Sequence, residues 1–259
     1  MVRPNVREGK ILFIILPTYN GLKHAKIFIH CLNNQSVKPM VVCVDSGSDG
    51  TGEWVRNNIQ SVILKANSYW GGSLRLAYDY LKNRIEETDT VLIVNIDRFL
   101  FDKDYLSKGI EYAKRGTMVV SAGYSDVTRK HESGGLHVDW KKFSFRVSDD
   151  VNICGTTGLF MNGRDFTESG GFSKLLPHHW SDTEFVYRQK LKLIAPKDLI
   201  IWIDAKSTGI DRPKNLKELF SMKCSQNPIY KSIFIIKSCP LKYIPINLLR
   251  AWYWIWRVL

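Results

Sequence analysis

Carboxylates and histidines stand in three places where their types and spacing could do chemistry. The stretch "VNIDRFL" (94–100) ends an apolar run with Asn95 and Asp97, and Arg98 follows at once. The stretch "VVCVDSGSDGT" (41–51) ends another apolar run with Asp45. In "HHWSDTEF" (178–185), His178, His179 and Trp180 precede Asp182 and Glu184. An ionised carboxylate only accepts, so a set of them at one edge would receive hydrogen-bond donors, a proton or a cation. The plainer alternative for each is a solvated turn at the end of an element.

The elements that must position these groups are legible from the apolar pattern. "ILFIIL" (11–16), "PMVVCVD" (39–45), "SVILKA" (61–66) and "TVLIVNID" (90–97) read as continuous apolar strands. Between them, "LKHAKIFIHCLNN", "GEWVRNNI" and "GGSLRLAYDYLKNRIEE" (71–87) read as helices, the last with Leu74, Ala77, Tyr78, Leu81 and Ile85 on one face. This alternation predicts an α/β fold with a parallel sheet covered on both faces. Ligands bind at the carboxyl ends of such strands, where "YNG" (19–21), Asp45 and Asp97 would meet. The second half predicts a strand over 117–124, a hairpin over 135–147 and a strand turning into a short helix over 155–172. A helix over 181–191 and a last strand over 199–204 complete it. With no repeat or linker, one domain is expected over 1–211, followed by a basic, aromatic helical tail over 212–259.

The composition, 44% hydrophobic and 24% charged, supplies ample material for a core. Five scattered cysteines without a C-x-x-C pair predict buried thiols in a reducing compartment, not a disulfide framework or a zinc site. No window reaches the roughly 20 apolar residues of a spanning helix, so a cytoplasmic chain, soluble or peripheral on a membrane, is expected. The net charge of +12 asks for an anionic partner. Part of that excess belongs to the tail: after Glu218 there is no acidic residue, while Lys223, Lys231, Lys237, Lys242, Arg250 and Arg257 follow.

Five segments in order, "ILPTYNG" (15–21), "VVCVDSGSDGT", "NSYWGGSLRLA" (67–77), "VNID" (94–97) and "GLFMNGRDFTESGGF…HHWSDTEFVYR", resemble the family 2 glycosyltransferases. The resemblance covers roughly residues 10 to 210 and is greatest to bacterial polysaccharide-building, rhamnosyltransferase-like members. It implies the GT-A fold, a Rossmann-like, mostly parallel central sheet flanked by helices, here with a C-terminal helical appendage. It also implies inverting transfer of a sugar from a UDP- or dTDP-sugar to a glycan or lipid-linked acceptor of lipopolysaccharide or capsule type. The nucleotide-sugar half would span about 10–100 and the acceptor half about 115–211.

Residue by residue, the resemblance assigns nucleotide-sugar contacts to Pro17, Tyr19, Asn20, Asp45, Asn67, Gly71, Gly72, Arg75, Asn95 and Asp97. Asp45 could accept from the imide N–H of uracil or thymine, or shape a turn with Asp49 or Thr51 as a helix cap. Gly71 and Gly72 would let a ligand approach a helix N-terminus. Arg75 could reach the diphosphate or lie exposed on its helix. Asp97 would hold a divalent cation, Mn²⁺ or Mg²⁺, which offsets leaving-group charge through hard oxygen ligands. Asp182 matches the base that takes the proton from the attacking hydroxyl; His179, Trp180 and Glu184 would stand on the acceptor side. Asn95, Ser181, Tyr69, Leu74 and Arg75 depart from the family pattern. In "WIDAKSTGIDR" (202–212), Asp204 or Lys206 stands where some members place a metal-binding histidine.

In the tail, "LLRAWYWIWRVL" puts Leu248, Trp252, Ile255, Trp256 and Leu259 on one helical side and Arg250, Tyr253, Trp254 and Arg257 on another. This suits either an anionic membrane surface or packing on the domain or a second copy. A sugar nucleotidyltransferase would share the sheet, but its Gly-rich, basic phosphate loop is missing. A nucleic-acid module lacks a supporting motif, and no nucleic-acid partner is expected. A degenerate nucleotide-binding protein stays open, given Asn95 and Ser181.

Overall fold

The computed structural model describes residues 10–148, 150–156, 158–204 and 212–258. The first half alternates as expected: β1 (Leu12–Thr18), α1 (Leu22–Asn33), β2 (Met40–Asp45), α2 (Thr51–Asn58), β3 (Ser61–Lys65), α3 (Trp70–Leu81) and β4 (Thr90–Ile93). β5 (Arg98–Phe99), α4 (Tyr105–Tyr112), β6 (Thr117–Val120), β7 (Ala122–Ser125) and β8 (His131–Ser133) follow. Then come β9 (Gly135–Asp139), β10 (Ser144–Val147), β11 (Ile153–Cys154), β12 (Leu159–Asn162), α5 (Gly163–Glu168) and α6 (Ser181–Gln189). β13 (Lys192–Ile194), β14 (Ile200–Ile203), α7 (Leu216–Leu219), α8 (Pro228–Ser238), a 3₁₀ turn (Leu241–Tyr243) and α9 (Ile244–Val258) end the described chain.

The central sheet has the order β13-β6-β12-β4-β1-β2-β3. β1 pairs in parallel with β2 and β4, and β12 runs antiparallel between β4 and β6. Every residue of β1 is buried because its two faces have separate covers. Leu12, Ile14 and Leu16 pack with Ala25, Phe28, Ile29 and Leu32 of α1, whereas Phe13 and Ile15 pack with Leu74, Ala77, Tyr78 and Leu81 of α3. The period of 2 in the strand and the i, i+3, i+4, i+7 spacing in α3 are thus the same core seen from two elements. Fully burying Leu74 and Leu81 contributes about 1.5–3 kcal/mol each.

Three boundaries differ from expectation. α3 ends at Leu81, not 87; Ile85 still packs on the core from a turn in which Glu86 N donates to Asp89 Oδ2 at 2.8 Å. The stretch 117–124 divides at Ser121 between the central sheet and a second sheet, β5-β14-β7-β8. The run 90–97 leaves the central sheet after Ile93 and re-enters order as β5 of that second sheet. Asp97 therefore sits where the chain crosses between sheets, one residue before Arg98 joins β14. The 135–147 hairpin forms, pairing Asp139 with Ser144.

The five cysteines are buried and form no disulfide among the described residues, and burial pushes the Cys43 thiol up to about 12. The tail packs on the domain: Val138, Trp140 and Ile153 share a core with Phe234 and Ile235 of α8 and Ala251 of α9. Its inward face carries Ile244 and Leu248 as well. Trp252 and Trp256, expected on the same side as Leu248, are instead 43% and 80% exposed, although Trp252 Nε1 still donates to Ser232 Oγ of α8 at 3.0 Å. Leu259, Lys206 and the Trp254 side chain lie outside the described residues.

Candidate active site

A cleft of about 870 Å³ opens at the carboxyl ends of β1 and β4, within the usual range of ligand pockets. Pro17 lines it from the end of β1, and Tyr19 and Asn20 from the loop that follows; Asn67 and Tyr69 line it from the approach to α3, and Trp70 and Ser73 from its first turn. Asn95 and Asp97 come from the crossover, and His178, His179, Trp180 and Asp182 from the entry to α6. Residues as far apart in sequence as Pro17 and Asp182 thus share one cavity.

Two loops clasp each other under the first wall. Asn20 adopts φ 47°, in the left-handed region that Asn tolerates, and its Oδ1 accepts from Ser48 N at 2.9 Å. Leu22 N donates to Asp49 Oδ2 at 2.9 Å, and Gly21 N to Thr51 Oγ1 at 3.1 Å. The expected turn chemistry of "DSGSDGT" is therefore present, turned toward the β1 loop.

Asp45 does not reach the cleft wall. Parallel register sets Thr18, Asp45 and Lys65 side by side at the ends of β1, β2 and β3. Asp45 Oδ1 accepts from Thr18 Oγ1 (2.9 Å) and Gly47 N (3.1 Å), and Oδ2 from Gly52 N (3.3 Å) and Lys65 Nζ (2.5 Å). Its side chain is 1% exposed. Four donors occupy the carboxylate expected at the base, so it acts on the cleft by fixing the two loops.

Gly71 and Gly72 also differ from expectation. A Cβ on Gly71 would stand 2.4 Å from Leu176 O and 2.6 Å from Ser181 Oγ, so its small size serves the close approach of α3 to the start of α6. Gly72 N donates to Pro177 O at 3.2 Å. Arg75 is half-buried on α3 and is not among the cleft residues. Trp70 and Ser73, one residue outside the glycine pair on each side, face the cavity in their place.

Asp97 and Asp204 meet through backbone: Asp204 N donates to Asp97 O at 3.2 Å. Asp204 Oδ2 lies 2.9 Å from His24 Nε2, and Asp97 Oδ1 lies 3.0 Å from Arg98 Nη1 in an ion pair. Asp97 Oδ1 is buried and accepts no hydrogen bond. A divalent cation bound beside phosphates needs only one or two protein carboxylates. Asp97, Asp204 and the Asn95 amide are oxygen donors of that kind on one cleft, so the residues fit such an ion. No group of three or more His, Cys, Asp or Glu side chains among the described residues would hold one unaided.

Asp182 stands in the first turn of α6, aimed by an unusual residue: Trp180 has φ 68°. The Trp180 ring stacks on Phe234 at 4.8 Å and its Nε1 donates to Ser225 O at 3.1 Å. Asp182 Oδ2 accepts from Thr156 N (3.1 Å) and Thr156 Oγ1 (3.3 Å), and Oδ1 from Thr183 N (2.8 Å). These donors fix the carboxylate at the cavity edge without enclosing it. His178 packs against Tyr69 at 5.4 Å and His179 at 4.5 Å. Burial, with His179 and Lys223 nearby, pushes its imidazole down to about 4, so it is neutral at neutral pH.

Glu184, expected on the acceptor side, is fully buried and faces away. It pairs with Arg188 Nε at 2.9 Å and lies 3.6 Å from Lys237 Nζ, tying α6 to α8. On a helix, two residues of separation turn a side chain to the far side. Cleft residues that sequence reasoning missed include His24, Ser68, Ser73, Thr183, Lys223 and Ser225. For His24 the signal was a polar residue in the first turn after β1. Lys223 and Ser225 are set there by the tail's return to the domain, which no local pattern announces. No helix among the described residues is long and apolar enough to cross a membrane.

Neither protein-family models nor curated protein sequences give a match to this chain. Solved structures do. S. aureus TarS 1–349 in complex with UDP-GlcNAc aligns with a TM-score of 0.61 at 15% identity, over 94% of this chain and 72% of that one. The mannosyltransferase PcManGT from Pyrobaculum calidifontis, in complex with GDP-Man and Mn²⁺, aligns with a TM-score of 0.57 at 15% identity, over 95% and 71%. A 4-diphosphocytidyl-2C-methyl-D-erythritol synthase reaches only 0.45 at 12% identity, over 81% and 97%, too distant to carry an argument. The seven-stranded sheet, its flanking helices and the cleft at its strand ends give this chain the fold of the GT-A-like glycosyltransferases.

Proposed function

We propose that this chain is an inverting glycosyltransferase, moving a hexosyl or deoxyhexosyl group from a UDP- or dTDP-sugar to a hydroxyl of a glycan or lipid-linked acceptor. Its setting is bacterial surface polysaccharide synthesis on the cytoplasmic side. The observation that carries the reading is one cavity lined both by Asp97, after β4, and by Asp182, at the start of α6. TarS, a structural neighbour, binds UDP-GlcNAc, which supports a nucleotide-sugar donor.

In this reading Pro17, Tyr19, Asn20 and Asn67 border the nucleotide, and Asp45 holds their loops from beneath. Asn95 and Asp97, with Asp204, would hold a divalent ion, whose charge would offset that of the departing diphosphate. Asp182 takes the proton from the acceptor hydroxyl as its oxygen attacks the anomeric carbon. The bond to the nucleoside diphosphate breaks on the opposite face, and the configuration inverts through an oxocarbenium-like state. The hydrogen bonds from Thr156 and Thr183 orient Asp182 for that step. His178, neutral, and His179 border the acceptor.

The test is calorimetric binding of UDP, dTDP, GDP and CDP, each with Mn²⁺ and with chelator, followed by product analysis with the matching sugars. Binding of UDP or dTDP, weakened by chelation, with release of nucleoside diphosphate supports the proposal. Release of pyrophosphate would mean a nucleotidyltransferase, binding without transfer a degenerate protein, and no binding would overturn the reading.

A further inference from the structure

We infer that the outward face of the C-terminal helices docks on an anionic lipid surface. α9 has two unlike faces. Asn247 and Ala251 are fully buried against the domain, with Asn247 Nδ2 donating to Trp140 O at 2.8 Å. Opposite them, Ile246, Leu249, Tyr253 and Trp256 lie within roughly 80° of arc at about 100° per residue. Leu249 is 71% and Trp256 80% exposed, and Leu241, in the 3₁₀ turn before them, 86%. An aqueous helix face carries polar residues there.

Charge chooses the occupant. Residues 219–258 contain six basic side chains and no acidic one. Lys242, over the Tyr243 ring at 4.9 Å before α9, and Arg257, near its far end, are exposed. Apolar side chains, Trp and Tyr with polar tips, and Lys and Arg without acids are what an anionic headgroup layer takes up. A second copy meeting this face with the same face would bring together two surfaces whose side chains from 219 to 258 are basic or neutral and never acidic.

The docking face is also close to the cleft in the chain. Lys223 and Ser225, which line the cleft, lead directly into α8, and α8 carries α9. A lipid-borne acceptor would then reach Asp182 from the surface on which the tail rests. That last consequence rests on the transferase reading; the docking does not.

The test is co-sedimentation of the full chain with vesicles of phosphatidylcholine alone and of phosphatidylcholine mixed with phosphatidylglycerol. Circular dichroism checks folding, and calorimetry with UDP and dTDP is read on the same samples. Binding is expected to the phosphatidylglycerol vesicles only, with a blue shift of tryptophan emission. The double substitution Leu249→Glu, Trp256→Glu should weaken it about tenfold or more, and Lys242→Glu in the same direction. Absence of vesicle binding by the folded wild-type chain would overturn the inference. So would a dimer, seen by sedimentation velocity, that the double substitution dissociates, or binding to a single-stranded oligonucleotide in place of vesicles. Vesicle binding without binding of UDP or dTDP would instead leave the docking and remove the transferase.

Discussion

Replacing Asp45 by Asn separates two roles for the same carboxylate. The side chain keeps its shape but loses its charge and one acceptor. Whichever way the amide turns, its NH₂ meets a backbone N–H, that of Gly47 or that of Gly52. Leaving one such buried donor unpaired costs about 1–3 kcal/mol. The lost pair with Lys65 adds about 0–1 kcal/mol, since Lys65 is 65% exposed and screened. The remaining bonds, now to a neutral oxygen, weaken as well. The sum is about 2–4 kcal/mol, or roughly 5–12 °C in Tm for a chain of this size. Differential scanning calorimetry measures it, with Lys65→Ala as a control expected within about 1 kcal/mol of wild type. UDP affinity, measured below the lowered Tm, should change less than about fivefold, a shift under about 1 kcal/mol. Unchanged stability with lost UDP binding would refute the reasoning and make Asp45 the base contact of the sequence reading.

Asp182→Asn should lower transfer by about 10²–10⁴-fold while UDP binding by calorimetry stays within error; undiminished transfer would remove Asp182 from the base role. Gly71→Ala forces its Cβ toward Leu176 O and the Ser181 side chain. It should cost about 1–3 kcal/mol of overpacking, visible in urea denaturation, with a loss of transfer as Asp182 shifts. For His178 the folded imidazole titrates near 4, below its unfolded value of about 6.5. The unfolded state then binds more protons between those values, so this stabilisation is full above pH 6.5 and lost as pH falls toward 4. Urea titrations across that window should show a shallower slope for His178→Gln; equal slopes would assign the acid sensitivity elsewhere.

Strands β1 to β4 and their helices were legible because burial on both faces writes a continuous apolar run. Each helix must then match it at period 3.6. The edge where the cleft opens followed from that alternation alone. What sequence could not supply was direction. Asp45 and Asp97 occupy equivalent strand ends, yet one is enclosed by Thr18 and Lys65 and the other opens on the cavity. That difference arises from register with neighbouring strands, which no single segment records. The glycines of "NSYWGGS" were read as room for a ligand, but the same lack of a Cβ equally admits a neighbouring backbone, here Leu176 and Ser181. The arc of the tail that packs was hidden because α9 is apolar on both faces.

Trp180 sits in a backbone region that costs a side-chain-bearing residue of order 1–3 kcal/mol, and it is held there by Phe234, Phe145 and the carbonyl of Ser225. Two of those three supports belong to the chain beyond residue 212. The tail is thus a brace for the bend that points Asp182 into the cavity. A shortened chain ending at residue 211 would keep its central sheet and lose the part that holds Asp182 in aim, so on the transferase reading activity and fold would part company at a boundary that looks, in sequence, like the natural place to cut.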